Sequence, residues 1–207
     1  MLISGLLVFL LGLAIGSFLN VVILRGGFKK SSRGRSKCFS CSHQLGIWDL
    51  IPVFSFMILG GRCRYCKSQI SFQYIAVEIF TGVLFVLSFI HAYLFYPAYF
   101  AIWDFVSLAG TSSALIIIFV HDLRHKIIPD GATLIVGIMA LSRIFALYVW
   151  GIGNENLLLE LSAGPLAALP FFLLWLLSRG KRMGFVDVKL MLPLGWLDGL
   201  QLFLTDN

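Results

Sequence analysis

The feature that most constrains the fold of this chain is a series of long apolar runs that carry almost no charge. Residues 2–24 contain no charged side chain, and residues 72–120 contain two, Glu78 and Asp104. Residues 131–178 contain three, Arg143, Glu155 and Glu160. A helix needs about 20 mostly apolar residues to cross a bilayer, because backbone polar groups cannot remain unpaired in hydrocarbon. These runs therefore predict helical membrane spans.

The lengths of the runs predict about six spans. The two longer runs each have room for two crossings, with turns expected near Tyr96–Pro97 and within residues 151–154, and a sixth run begins near Val188. Charged residues make up 13% of the chain, against about 25% in soluble domains. The first run lacks the basic start of a cleavable signal, which favours a retained helix. The predicted fold class is therefore an all-α polytopic membrane protein.

The basic residues predict how the spans are oriented. Of the 16 Lys and Arg residues, nine lie between Arg25 and Lys67, two at positions 124 and 126, and four between Arg179 and Lys189. With six spans, these three loops fall on one side of the membrane, and cytoplasmic loops collect Lys and Arg. The amino terminus is therefore expected outside. Topology also accounts for the net charge of +6, so we predict no nucleic-acid partner.

Two cysteine pairs lie in the long polar loop after the first span. Cys38 and Cys41 form one Cys-x-x-Cys unit, and Cys63 and Cys66 form another. Four thiolates with this spacing are typical of a structural zinc site, which leaves no ligand position open for catalysis. On the reducing cytoplasmic side, disulfides are disfavoured. Reduced thiols without a metal, or a redox pair, are the alternatives. Zinc would hold together a loop with too few apolar residues for a core of its own.

Two of the ten acidic residues are candidates for catalysis. Asp122 lies at the cytoplasmic end of the third span, and Asp187 lies at the start of the sixth, so both are expected at the same face. Two neighbouring carboxylates do not both ionise, and one can act as a base toward water while the other keeps a proton. The alternative is that both are interfacial acids that pair with Arg124 and Lys189.

Several motifs in this order resemble the type IV prepilin peptidases. They are the segment 16–25 in the first span, the cysteine-loop segment 49–66, the segment 70–82, the stretch 127–130 after Asp122, and the stretch 187–190. The resemblance extends over nearly the whole chain. This chain differs from the family pattern at Val186, where the family usually has glycine, and at Ile75, where the family often has proline. The chain ends at Asn207, which we expect to lie within or just after the sixth helix.

The resemblance implies an aspartic membrane endopeptidase with a second activity. Family members cut the leader of type IV prepilins or pseudopilins after a glycine at the cytoplasmic face, with an aspartate pair that corresponds here to Asp122 and Asp187. They then N-methylate the new amino terminus with S-adenosylmethionine. The implied location is the bacterial inner membrane. The expected division is a first helix at 1–24, a cytoplasmic zinc domain at 25–71 and a protease core at 72–207.

The sequence leaves two alternatives for each of two other residues within the spans, and it leaves two other classes of protein to consider. Glu78 is expected either to function or to pair with a polar group, and Arg143 is expected to pair with Asp104 or Glu160. A channel or transporter would more often show polar span interiors or repeated halves. A noncatalytic membrane scaffold with a zinc module would not need Asp122 or Asp187.

Overall fold

The computed structural model describes residues 2–24, 36–152, 156–180 and 184–198, and this part of the chain is helical apart from loops and two isolated β-bridges. The helices are α1 (Leu2–Leu24), α2 (Phe54–Ile58), α3 (Gln73–Phe95), α4 (Ala98–His125), α5 (Asp130–Val149), α6 (Leu157–Ser178) and α7 (Phe185–Asp198). A four-residue 3-10 helix, Ile47–Leu50, precedes α2. The expected all-α fold is confirmed.

Five of these helices are long and apolar enough to cross a membrane: α1, α3, α4, α5 and α6. The predicted turn at Tyr96–Pro97 separates α3 from α4. The predicted sixth run begins at Phe185, three residues earlier than expected, and its described part ends at Asp198. The second predicted turn lies partly in residues 153–155, which are outside the described residues. Residues 25–35 of the predicted basic loop and residues 199–207 at the chain end are also outside them.

Helices α1 and α3 are antiparallel and pack with their backbones almost in contact. A Cβ added at Gly12 would lie 2.7 Å from the Cα of Gly82, and one added at Gly16 would lie 2.7 Å from the Cα of Glu78. Small residues allow membrane helices to approach this closely, so that van der Waals contacts hold them together. Where α1 ends and α3 begins, the Asn20 side chain donates a hydrogen bond to the Tyr74 carbonyl oxygen at 3.0 Å.

The remaining helices continue the antiparallel order. One buried apolar cluster joins α1, α3, α4 and α5, and Leu190 and Leu197 of α7 pack against it. α7 also packs on α6, where the Trp196 indole donates to the Leu161 carbonyl oxygen at 2.9 Å. As a result, α1, α4 and α6 end where α3, α5 and α7 begin. We call this the basic end of the bundle, because Arg124, Lys126 and Arg179 lie there.

Residues 36–72 form a compact module at the basic end, which we call the cysteine module. Asp49 ties its first half to its second, because its carboxylate accepts from Arg64 Nε at 2.7 Å and from the Gly46 N–H at 3.1 Å. A further hydrogen bond runs from Arg124 in the last turn of α4 to Gln73 at the start of α3. The module therefore stands at the same end of the bundle as the end of α4 and the start of α7.

Candidate active site and four-cysteine centre

The two Cys-x-x-Cys turns have the same backbone structure, 25 residues apart. In the first, the Cys38 N–H donates to the His43 carbonyl oxygen, and the Ser42 N–H donates to the Cys38 carbonyl oxygen. In the second, the matching bonds are Cys63 to Ser68 and Lys67 to Cys63. Ser42 and Lys67 have the positive φ angles of 57° and 60° that close such turns. The duplicated spacing in the sequence is thus a duplicated structure.

The turns bring the four thiols together. The Sγ atoms of Cys38, Cys41, Cys63 and Cys66 all lie within 4.8 Å of one another, and none of the four forms a disulfide. The Sγ atoms of Cys38 and Cys66 are 3.7 Å apart. Tetrahedral zinc with bonds of about 2.3 Å places its sulfur ligands about 3.8 Å from one another. The donor set and its spacing therefore fit a four-coordinate metal ion.

The surroundings of the thiols favour thiolates at some positions and oppose them at others. Backbone N–H groups of Cys41 and Ser40 lower the pKa of the Cys38 thiol to about 6. The Ser68 hydroxyl and its backbone N–H lower the pKa of Cys66. The His43 N–H lowers the pKa of Cys41, but desolvation and the neighbouring thiols raise it to about 11. Thiolates repel one another, so a cation would be needed to ionise the whole set.

Asp122 lies in the last turn of α4. Its carbonyl oxygen accepts the N–H of Lys126, which ends the helix in the left-handed conformation at φ 53°. Four residues, 126–129, connect α4 to α5, and Asp122 itself is half-buried. A loop this short makes α4 and α5 antiparallel neighbours, so Asp122 stays beside the first turn of α5.

Asp187 lies in the first turn of α7 and is also half-buried. Its N–H donates to the Gly184 carbonyl oxygen, and its Oδ2 would lie 3.6 Å from a Cβ added at Gly184. Val186, which replaces the glycine usual in the family, is a helical residue of this turn with a negative φ. A β-branched residue adopts that conformation, so the replacement does not strain the backbone. Ile75 lies in the first turn of α3, where either isoleucine or proline is tolerated.

The register of three helices places Asp122 and Asp187 at the same level. Arg143 of α5 bonds Asp104 of α4, as the antiparallel order requires, and the four-residue connection keeps the last turn of α4, which contains Asp122, near the level at which α5 begins. The Lys189 ammonium lies 3.5 Å from Asp130, the first residue of α5. Asp187 is two residues before Lys189, or about 3 Å along the helix axis. Both candidate aspartates therefore lie at the basic end, on neighbours of the first turn of α5.

Three other charged residues of the spans, Glu78, Asp104 and Arg143, are paired. Arg143 bonds Asp104, as one of the two sequence-based alternatives predicted. Glu78 accepts the backbone N–H of Val53 at 2.8 Å, so it joins α3 to the cysteine module. Sequence reasoning missed the Val53 partner, because a backbone donor leaves no signal in side-chain chemistry. It also missed Asn20, although an amide in an uncharged span is itself a sign of a specific contact.

Comparison with known proteins matches both halves of the chain. Residues 10–92, which include the four cysteines, match the model of the Bacterial Peptidase A24 N-terminal domain. Residues 109–205, which include Asp122 and Asp187, match the model of the Type IV leader peptidase family.

Individual relatives extend over most of the chain. A prepilin leader peptidase/N-methyltransferase of Klebsiella pneumoniae is 33% identical over 202 residues, which cover 93% of this chain and 85% of the relative. A protein of the same name from Stutzerimonas stutzeri is 29% identical and covers 92% of this chain and 72% of its own length. One from Myxococcus xanthus is 49% identical over 78 residues. No solved structure matches the chain.

Proposed function

Because the chain belongs to the prepilin leader peptidase/N-methyltransferase family, we propose that it cleaves the leader of type IV prepilins or pseudopilins after glycine, with Asp122 and Asp187 as the catalytic pair. The observation that carries this proposal is the position of the two aspartates, which lie at the basic end on helices that both adjoin the start of α5. Cleavage by this chain takes place at the cytoplasmic face of the bacterial inner membrane, with the amino terminus outside.

The proposed chemistry needs two carboxyl groups in different protonation states. One aspartate takes a proton from the attacking water, and the other gives a proton to the leaving amine. Two nearby carboxylates favour this state, because the charge on one opposes ionisation of the other. A prepilin places its basic leader in the cytoplasm and its apolar segment among the spans, so its scissile bond reaches the depth of the pair.

The second proposed activity is N-methylation of the new amino terminus, for which S-adenosylmethionine supplies the methyl group. Support for it comes from the names of the relatives. The described residues contain no strand–loop–helix unit, so a Rossmann-type nucleotide site does not occur among them. We assign no residue to the methyl donor and derive no step through it.

The four cysteines are proposed to hold structural zinc in a domain at 25–71, which precedes the protease core at 72–207. The four ligands are Cys38, Cys41, Cys63 and Cys66. Their Sγ atoms all lie within 4.8 Å of one another, which supports one shared ion. Zinc with four sulfur ligands has no open position for water. Its role here is to hold the two cysteine turns together, while proteolysis belongs to the aspartates.

Cleavage of a purified prepilin by the purified full chain tests the catalytic pair. We expect Asp122→Asn and Asp187→Asn each to lower kcat by at least about 10²-fold, because each removes an acid–base group. Asp130→Asn is the matched control, since Asp130 lies at the same end with an exposed side chain and should keep near-normal activity. Undiminished cleavage by either dyad variant would disprove the pair. Mass spectrometry of the product for one added methyl group tests the second activity separately.

A further inference from the structure

The short helix α2 of the cysteine module presents an apolar face outward. Phe54, Met57 and Ile58 follow the i, i+3, i+4 spacing of one helix face, and they are 55%, 69% and 78% exposed. On the inner side, the Phe56 ring lies against Gly61, where an added Cβ would be 3.0 Å from it. A helix face that meets water normally carries polar side chains, but α2 contains no charged residue.

The start of α2 is held at the level of the first turns of α3. The N–H of Val53, which precedes α2, donates to Glu78 Oε2 at 2.8 Å. Glu78 lies in the second turn of α3 and is buried. Side chains on a helix lean toward its amino terminus, so the Glu78 carboxylate lies near the first turn of this span. That turn is where the span leaves the hydrocarbon.

The backbone at Val53 adopts an unusual conformation that fixes the direction of α2. Val53 has φ 62° and ψ −51°, and the Phe54 N–H lies 2.6 Å from the Pro52 carbonyl oxygen, which is the geometry of a γ-turn with positive φ. This conformation is rare for a β-branched residue and persists where surrounding contacts hold it. The Glu78 carboxylate is such a contact. The buried span and the turn together therefore orient α2.

The end of α2 is tied to the same level. The Ile70 N–H donates to the carbonyl oxygen of Gly61, three residues beyond α2, at 2.8 Å. Ile70 is itself three residues before Gln73, the first residue of α3. Three residues reach at most about 10 Å along the chain. Both ends of α2 are thus fixed close to the depth at which α3 begins.

The surroundings of α2 have the chemistry of a membrane-contacting edge. The adjacent 3-10 helix exposes Ile47 and Trp48, which are 81% and 76% exposed. Tryptophan is enriched where a protein crosses the headgroup region. Within residues 36–72 there are four basic side chains and a single acid, Asp49, which is paired with Arg64. Basic residues near the membrane are attracted to anionic lipids.

We infer that α2 and the Ile47–Trp48 edge lie in the headgroup–acyl boundary of an anionic bilayer and seat the cysteine module against the membrane. The apolar face supplies the burial, and the basic side chains of the module supply the attraction to lipid phosphate. A prepilin is the other partner that an apolar face could bind. The lipid surface is favoured because the two backbone anchors set α2 at the membrane boundary whether or not a substrate is bound. The inference goes beyond the proposed activities and does not depend on them.

Tryptophan fluorescence of the full chain in lipid vesicles tests this position. The vesicles contain phosphatidylglycerol and phosphatidylcholine brominated on its acyl chains, and the Trp48 contribution is the difference between wild type and Trp48→Phe. We expect this contribution to lose most of its intensity in brominated vesicles compared with unbrominated ones. We also expect little quenching of it by aqueous iodide. Ile58→Trp in the Trp48→Phe background repeats the measurement from α2 itself.

Each outcome of the vesicle experiment decides the inference. Quenching of both probes by brominated lipid, without added prepilin, supports it. Probes that are quenched by iodide and unaffected by brominated lipid would overturn it. The inference would also be overturned if brominated lipid does not quench the fluorescence of the probes and iodide quenches it less after a prepilin is added. That result would assign this face to the substrate.

Discussion

Two charged residues within the spans, Asp104 and Arg143, are held in specific contacts across helices. Asp104 is fully buried and accepts from Arg143 Nε at 2.7 Å, while His91 Nδ1 lies 3.0 Å from its other oxygen. Arg143 also donates to the Tyr96 hydroxyl. A single buried charge in hydrocarbon is costly, and pairing offsets much of that cost. This network joins α3, α4 and α5 at the end of the bundle opposite to the basic end.

The cysteine site gives a prediction at the scale of single residues. The purified full chain should contain about one zinc per chain, and Cys63→Ser should lose most of it, because removing one of four sulfur ligands breaks the closed shell. Cys63 is chosen because it is the buried member of the four, at 3% exposure. Elemental analysis of the purified protein measures the stoichiometry.

Ser40→Ala is the matched control for the metal measurement. Ser40 lies between the first two cysteines but is not one of the four grouped ligands, so its variant should keep the metal. A wild-type stoichiometry well below one, or unchanged zinc in Cys63→Ser, would contradict the four-cysteine site.

At the scale of elements, the helices pack through small residues. Gly12 and Gly16 bring α1 against α3, and Gly164 and Gly195 bring α6 against α7, where an added Cβ at Gly195 would lie 2.5 Å from the Ala167 Cβ. Apolar helices in lipid gain little from hydrophobic burial, so close van der Waals packing becomes the main attraction between them. Side chains inserted into these contacts should therefore separate the helices.

Gly16→Ala tests the α1–α3 contact. The new methyl group would meet the Glu78 backbone, so we expect a loss of about 1–3 kcal/mol in stability from overpacking. The thermal unfolding midpoint of the detergent-solubilised chain should fall. Gly5→Ala is the control on the same helix, because an added Cβ there has nothing within 4 Å and should leave the midpoint unchanged. Equal midpoints for both variants would refute the close contact.

At the scale of the whole molecule, the basic residues and the helix order agree on one orientation. Arg124, Lys126 and Arg179 lie at the end that also carries the cysteine module, and Trp150 lies at the other end of α5. The positive-inside tendency supports the proposal that the basic end faces the cytoplasm. In the proposed orientation the thiols would face a reducing compartment, where a metal site is favoured over disulfides.

Labelling of intact bacteria with a membrane-impermeant maleimide tests the orientation. Trp150→Cys should react in intact cells, because residue 150 is expected outside. Lys126→Cys should react only after the membrane is disrupted, since it lies at the basic end. The wild-type chain, whose four native cysteines are expected on the inner side, is the control and should remain unlabelled in intact cells. Labelling of Lys126→Cys before the membrane is disrupted would contradict the proposed orientation.

The sequence predicted the spans well and their ends less well. α4 continues to His125, five residues beyond the apolar run that ended at Val120. The charges at Asp122 and Arg124 end the hydrocarbon-compatible stretch, but headgroups and water tolerate them, so the helix persists to the left-handed residue Lys126. The grouping of the four cysteines could be predicted from the sequence because the Cys-x-x-Cys spacing is local. The level shared by Asp122 and Asp187 followed from topology, and their roles as a catalytic pair stay a prediction.

The sequence by itself determined that this chain is a helical membrane protein, where its spans lie, and which four thiols can share one ion. Hydrophobic length and residue spacing are local properties, so they can be read along the chain. Tertiary structure alone decided that Glu78 holds the backbone of Val53, that Arg143 pairs with Asp104 rather than Glu160, and that α2 turns an apolar face outward at the level of the first turn of α3. These contacts join residues distant in sequence, and they depend on how whole helices pack.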